Sequence, residues 1–381
     1  MKQILILGGG MGGLVAANEL RKKLGKKHKI ILIDKKDKHI YAPSFLWLML
    51  GNRKAEKIQK SLRFLERKGI DFVNEEILKI IPESKIVKTT KNEFNYDYLI
   101  ISLGAELAPE KVKGLSDGGY NLYELSEVEK LRDNLKKFTE GSIVIVISSL
   151  PFKCPAAPYE TALLLDYYFK KKGIRKGIDL QIFTPETLPM PVAGQKIGEV
   201  IKQTLEERGI IFNSEKKINS IDGKNKTIMF DDNQKVQYDM LIYVPHHKAP
   251  DVVKNSKLTN ETGWVPVNAK TLETKQKNIY AIGDITSIKL PDGKVLPKAG
   301  VFAHYQAEVV ANNIASEIME KNSFKEFNGN GLCFLEAGFG KAGFASGNFY
   351  AEKRELNMKR SSRIWHWSKI LFEKYWFWKW F

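Results

Sequence analysis

"QILILGGGMGGLVAANELRKKLGKKHKIILIDKKD" (residues 3–37) reads as a strand, a tight turn, a helix and a second strand. Gly8, Gly10 and Gly13 form G-x-G-x-x-G where the first strand ends. In such a loop the first glycine permits the turn, the second lets a pyrophosphate approach the backbone, and the third packs helix against strand. The helix N-terminus then faces the phosphates with its positive end. Asp34 closes the second strand about 20 residues past the third glycine, where an acid can take a ribose hydroxyl. Strand, helix, second strand and terminal acid in register mark a dinucleotide-binding unit rather than an ordinary βαβ turn.

Two downstream segments choose the dinucleotide. "KQKNIYAIGDIT" (275–286) is a strand ending in Gly283-Asp284. It resembles the second FAD motif of the two-dinucleotide-domain flavoproteins, the pyridine nucleotide–disulfide oxidoreductase superfamily. There the aspartate meets the ribityl chain and the next helix points its positive end at the flavin. "YDYLIISLGA" (96–105), a strand running into a small-residue turn at Gly104, resembles the middle FAD motif of that superfamily. The expected fold is α/β, with two Rossmann-like dinucleotide-binding domains, the second inserted in the first. Residues 1–115 and 250–320 form the split FAD-binding domain, 116–249 the insertion, and 321–381 a C-terminal region.

The inserted unit opens with "SIVIVISS" (142–149), then a helix within "YETALLLDYYFKKKG" (159–173) and a strand in "IDLQIFTPE" (178–186). Relatives that use NAD(P)H end that first strand in another glycine loop. Here it runs into "PFKCPAAPYE" (151–160), with no glycine between Gly141 and Gly173. Without glycine the backbone cannot close around a pyrophosphate, so the electrons are expected from another donor.

"PFKCPAAPYETALLL" (151–165) resembles the first redox-cysteine segment of the sulfide:quinone oxidoreductases and of the flavoprotein subunit of flavocytochrome c sulfide dehydrogenase. "LPKAGVFAHYQAEVVANNI" (296–314) resembles their P-K-x-G segment beside the flavin, and "GNGLCFLEAGFGKAGFASGNFY" (329–350) the segment with their second redox cysteine. The resemblance spans the whole chain. It implies FAD-dependent oxidation of sulfide to persulfide or polysulfide sulfur, with electrons passed to membrane quinone. Cys154 would retain substrate sulfur, Cys333 would stand next to the flavin, Glu160 would act as acid or base, and Lys298 would face the pyrimidine edge. A disulfide is an electrophile that HS⁻ can attack, so a cysteine pair suits the chemistry.

Plainer readings stay open at this stage. A free Cys is often a small buried hydrophobe, Glu160 lies in a first helical turn where the dipole favours any Glu, and Lys298 can be solvated. The chain lacks the third cysteine that many family members carry upstream, near "YNLYELSEV" (120–128), so FAD is expected to be held non-covalently. "TPETLPMPVAG" (184–194) lacks the site histidines of some members, and His246, His247 and His304 are read as surface or core residues. A type II NADH:quinone dehydrogenase, a haem-protein partner subunit and a non-turnover sulfur carrier or sensor are the alternatives.

The 61 Lys and Arg against 44 Asp and Glu leave a net charge of +17, which calls for an anionic partner. No nucleic-acid motif appears, and no metal site is expected. Two cysteines make no secreted-type disulfide framework. The start "MKQILILGGG" turns glycine-rich too soon for a signal peptide. "SSRIWHWSKILFEKYWFWKWF" (361–381) holds five of the seven tryptophans, and on a helix Ile364, Trp367, Leu371, Tyr375 and Trp378 make one stripe. Trp and Tyr favour the bilayer interface and Lys pairs with anionic headgroups. Arg363, Lys369 and Lys379 are read as headgroup contacts, and the protein as a peripheral, monotopic membrane protein, cytoplasmic side favoured. Packing of this helix on the protein itself and a homo-oligomer contact are the other readings.

Overall fold

A computed structural model describes residues 1–352 and 356–381. Strand β1 (Gln3–Leu7), helix α1 (Met11–Leu24), β2 (Lys29–Asp34), β3 (Asp71–Asn74) and β4 (Tyr98–Ile101) build the first unit. The apolar runs "ILIL" and "IILI" are buried on both faces, as parallel strands between helical layers must be. Strand β10 (Ile279–Ala281) returns after some 180 residues to pair with β4, giving the all-parallel order β10-β4-β1-β2-β3. The first sheet is therefore completed by chain from beyond an insertion. Helix α3 (Gly300–Ile318) packs on α1 through a shared apolar core.

The insertion holds a second all-parallel sheet. Its strands are β5 (Tyr120–Asn121), β6 (Gly141–Ile147), β7 (Ile178–Phe183), β8 (Ile210–Asn213) and β9 (Met240–Val244), in the order β5-β9-β6-β7-β8. Helix α2 (Ala157–Lys171) connects β6 to β7. The molecule is thus two dinucleotide-binding-type α/β units, the second inserted in the first.

Three antiparallel strands follow, β11 (Asn330–Gly338), β12 (Lys341–Asn348) and β13 (Asn357–Ser362). Helix α4 (Arg363–Trp380) starts directly from β13, capped where Ser362 Oγ accepts the Trp365 N–H at 3.5 Å. No helix among the described residues is long and apolar enough to cross a membrane.

Candidate functional site

Gly8 takes φ +100°, and a Cβ there would sit 2.4 Å from the Ser102 carbonyl oxygen. A Cβ on Gly13 would lie 1.8 Å from the Gly8 oxygen, so α1 can pack onto the turn only with glycine. At Gly10 the same construction meets nothing within 4 Å, which leaves the helix N-terminus open to a ligand. Asp34 stands beside this loop. Its carboxylate accepts the Gly9 N–H at 2.6 Å and the Lys36 N–H at 2.7 Å, yet burial raises its pKa above the usual range.

Gly104 lies three residues after β4 at φ +65° above open space, and Gly283 follows β10 at φ +76° with its N–H on Gln306 Oε1 at 2.7 Å. Next to it Asp284 Oδ1 and Gln306 Nε2 are buried with no hydrogen-bond partner among the described residues. Such groups are costly unless something pairs with them. A hydroxylated chain and a pyrophosphate supply the missing partners, so the residues present fit FAD. Burial raises the Asp284 pKa against the opposing fields of Lys298 and Lys153.

Lys298 is buried rather than solvated. Its Nζ donates to the Asp284 carbonyl at 2.6 Å and lies 3.4 Å from the centre of the Trp264 ring. Burial lowers its pKa to about 8 despite Asp284. Its own carbonyl accepts the Cys154 N–H at 2.7 Å, tying the first cysteine segment to the P-K-x-G segment.

Cys154 has φ +51°, a left-handed conformation that side-chain-bearing residues rarely adopt. Its carbonyl accepts the Ala157 N–H at 2.9 Å and the Tyr123 hydroxyl at 3.3 Å. Cys333 lies on β11, opposite Ala345. The two thiols, 179 residues apart in sequence, pack against the same apolar cluster and are both unbridged. Burial pushes the Cys154 thiol up to about 12 and the Cys333 thiol higher still. Glu160 pushes both further up, and Lys369 pulls both down.

Glu160 was read from sequence; its partner Lys369 is the part of the site that sequence reading missed. Glu160 Oε1, in the first turn of α2, accepts the Lys369 Nζ at 2.9 Å and the Glu336 N–H at 2.7 Å. Lys369 reaches Glu336 Oε1 at 4.0 Å, and the Glu336 carboxylate also meets His366 Nδ1 at 3.0 Å. Burial works against the Lys369 ammonium, but the two carboxylates outweigh it and hold its pKa above the usual lysine range. Lys369 is therefore not a lipid contact. It faces inward, and Arg53 pairs with Glu373 one turn further along the same face at 2.9 Å.

Helix α4 also reaches the glycine loop. Trp376 Nε1 donates to His39 Nε2 at 3.0 Å, and His39 Nδ1 meets the Gly9 carbonyl at 2.9 Å. The indole donor leaves Nε2 as acceptor, so Nδ1 carries the proton. Burial lowers the His39 pKa to about 4 and keeps the ring neutral. The sequence signal for both contacts is a second helical stripe, Lys369, Glu373, Trp376 and Trp380, at spacings of four, three and four. His247 is buried, with its Nδ1 on the Pro245 carbonyl at 2.8 Å. His246 and His304 are partly exposed. Among the described residues no group of three or more His, Cys, Asp or Glu could hold a metal ion.

With this geometry in place, comparisons with known proteins are informative. The pyridine nucleotide-disulphide oxidoreductase family matches residues 2–149 and 161–307, broken only across the segment that carries Cys154. The mitochondrial sulfide:quinone oxidoreductase of Dictyostelium discoideum is 31% identical over 89% of this chain and 76% of its own length. The sulfide-quinone reductase of Aquifex aeolicus is 29% identical over 99% of this chain and 91% of its own. The crystal structure of the sulfide:quinone oxidoreductase from Aquifex aeolicus superposes with a TM-score of 0.90, covering 100% of this chain and 91% of that one at 26% identity. The molecule is a flavoprotein oxidoreductase, and FAD is its cofactor. The chain belongs to the pyridine nucleotide-disulphide oxidoreductase family and, within it, to the sulfide:quinone oxidoreductases.

Proposed function

We propose that this enzyme oxidises sulfide at a Cys154–Cys333 pair and delivers the electrons to membrane quinone. The observation that carries the reading is the packing of the two partly buried cysteines against one apolar cluster, under the opposed fields of Glu160 and Lys369. The net reaction is HS⁻ + quinone + H⁺ → S⁰ + quinol, two electrons leaving sulfide and two entering quinone. Bound FAD would supply the two-electron relay between them, and Gly8, Gly10, Gly13, Asp34, Gly104, Gly283, Asp284 and Lys298 are the residues that would hold it.

The chain's own part begins with a Cys154–Cys333 disulfide. HS⁻ attacks the Cys154 sulfur, a new S–S bond forms there, the old one breaks, and Cys333 leaves as thiolate. Thiols held as far up as these are poor nucleophiles at neutral pH, so the disulfide is the reactive form and sulfide the attacking group. Glu160 receives the proton that H₂S gives up on becoming HS⁻. Its protonation removes the negative field at the cysteines and leaves Lys369 to stabilise the Cys333 thiolate.

The exposed stripe of α4 supports attachment to a membrane surface. Ile364, Trp367, Leu371, Tyr375 and Trp378 are 45% to 79% exposed and share one face. An aromatic face of this kind, with the opposite face packed, suits a helix lying in the bilayer interface. Anaerobic addition of sulfide and then of a soluble quinone tests the reading. Bleaching of the flavin by sulfide and recovery on quinone are expected; no bleaching rejects sulfide as donor.

A further inference from the structure

Helix α1 ends in three basic residues, Arg21, Lys22 and Lys23. The end of α4 lies against it, fastened where Asn18 Nδ2 donates to the Trp380 carbonyl at 3.2 Å. Lys68 closes the third side, its Nζ on Asn18 Oδ1 at 2.9 Å and on the Lys379 carbonyl at 3.4 Å. The three segments enclose a pocket of about 350 Å³ that is open to solvent. Arg21, Lys22, Lys68 and Lys379 line it against the single carboxylate of Glu19, four positive charges against one negative.

Two of the lining residues also carry buried donors without a partner. Trp380 is 2% exposed, and its indole N–H has no acceptor among the described residues. The Arg21 Nε is buried and equally unpaired. Unpaired buried N–H groups are rare in folded proteins and mark a missing partner. Burial and the nearby Lys60 lower the Lys68 pKa, the behaviour of a cation short of counter-charge. A lining this rich in cations and unpaired donors suits a group made of acceptor oxygens with negative charge, and a phosphate is the compact example.

We propose that this pocket binds the phosphate of an anionic phospholipid headgroup and so fixes the depth of α4 in the bilayer. The inference rests on the membrane attachment proposed above. Lipid is the occupant because the pocket opens at the last turn of α4, the turn that also carries Trp378, 79% exposed, with Tyr375 one turn earlier. A phosphate here lies at headgroup level while the aromatic stripe lies among the acyl chains.

The test compares flavin-loaded wild type with Lys22→Gln/Lys68→Gln and with Trp380→Phe, which keeps the ring and removes the N–H. Binding is measured by sedimentation with vesicles of phosphatidylcholine alone, and of phosphatidylcholine with phosphatidylglycerol. A Lys217→Gln/Lys235→Gln variant, which removes two exposed charges from the inserted unit, is the control. We expect the pocket variants to lose roughly five-fold in affinity per charge for the anionic vesicles and nothing for the neutral ones, with the control unchanged and Trp380→Phe weakened. Equal losses in the control reduce the effect to diffuse charge and overturn the proposal, as does wild-type affinity in the pocket variants. Equal binding of intact protein to both vesicles overturns this inference alone; binding to neither overturns the attachment reading with it. Inorganic phosphate is the last probe. If it binds at Lys22 and Lys68 by calorimetry and anionic vesicles gain nothing over neutral ones, the site takes free phosphate and the lipid assignment falls.

Discussion

Cys154 holds a left-handed backbone conformation that costs an L-residue roughly 1–2 kcal/mol, and two outside contacts keep it there, the Lys298 carbonyl and the Tyr123 hydroxyl. Cys154→Ser and Cys333→Ser are each expected to lower sulfide-dependent quinone reduction at least about 100-fold, the scale of losing a nucleophilic group, while the flavin spectrum stays. In the proposed mechanism Cys333 is the thiol next to the flavin, which Cys154→Ser keeps and Cys333→Ser removes, so their spectra with sulfide should differ. Full activity in either variant would end the cysteine mechanism. A second residue titrates in an accessible range. Glu186 is buried, accepts from the Tyr159 hydroxyl and the Thr184 hydroxyl, and burial raises its pKa to about 7. Its folded pKa exceeds the unfolded value, so its contribution to stability is full below about pH 4.3 and lost as pH rises through about 7, about 4 kcal/mol in all. Urea unfolding at pH 5 and pH 8 should show that loss in wild type, and Glu186→Gln should abolish this part of it. The cysteines and the glycine loop were legible because each sits in a motif of consecutive residues. Glu186 was not, because its partner lies on another element.

Helix α4 carries two messages on two faces. One stripe, Ile364 to Trp378, was legible and stands exposed. The other, Lys369, Glu373, Trp376 and Trp380, was overlooked because attention to a single apolar stripe makes a lysine beside it read as a lipid contact. Lys369 lies two residues from Trp367 and from Leu371, hence on the opposite side of a 3.6-residue helix. Removing one partner of a buried ion pair costs about 3–5 kcal/mol. Lys369→Met should therefore destabilise the protein by that order in denaturant, and adding Glu160→Gln should recover part of it. Deleting residues 361–381 is a poor test of membrane attachment, because it also removes Lys369 from the cysteines and Trp376 from His39. The clean variant is Trp367→Gln/Leu371→Gln/Trp378→Gln, confined to the exposed face. It should leave FAD bound and the melting temperature nearly unchanged but release the protein from vesicles; continued pelleting with lipid would reject the attachment reading.

At the scale of the whole molecule, the two α/β units share a plan but divide the work. The first keeps an open glycine cradle at Gly10; the second fills the equivalent place with the Cys154 turn. The two α/β units and the insertion were legible because parallel strands buried on both faces read as uninterrupted apolar runs, whereas the docking of the C-terminal sheet on α2 depends on the Glu336 N–H meeting Glu160, a contact across 176 residues. The filled cradle explains the donor. After β6 the Ser148 N–H is spent on the Val244 carbonyl at 3.0 Å, the Cys154 N–H on Lys298, and the Ala157 N–H on Cys154. The first turn of α2 is no freer, since Pro158 has no N–H and the Tyr159 N–H bonds the Ala156 carbonyl at 3.1 Å. A pyrophosphate arriving there would find few free backbone donors and no glycine to let it approach. NADH and NADPH are therefore expected to leave the bound flavin oxidised on the timescale in which sulfide bleaches it. Stopped-flow absorbance under argon decides the point: bleaching by micromolar NADH at the sulfide rate would make nicotinamide the donor and leave the two cysteines as packing residues.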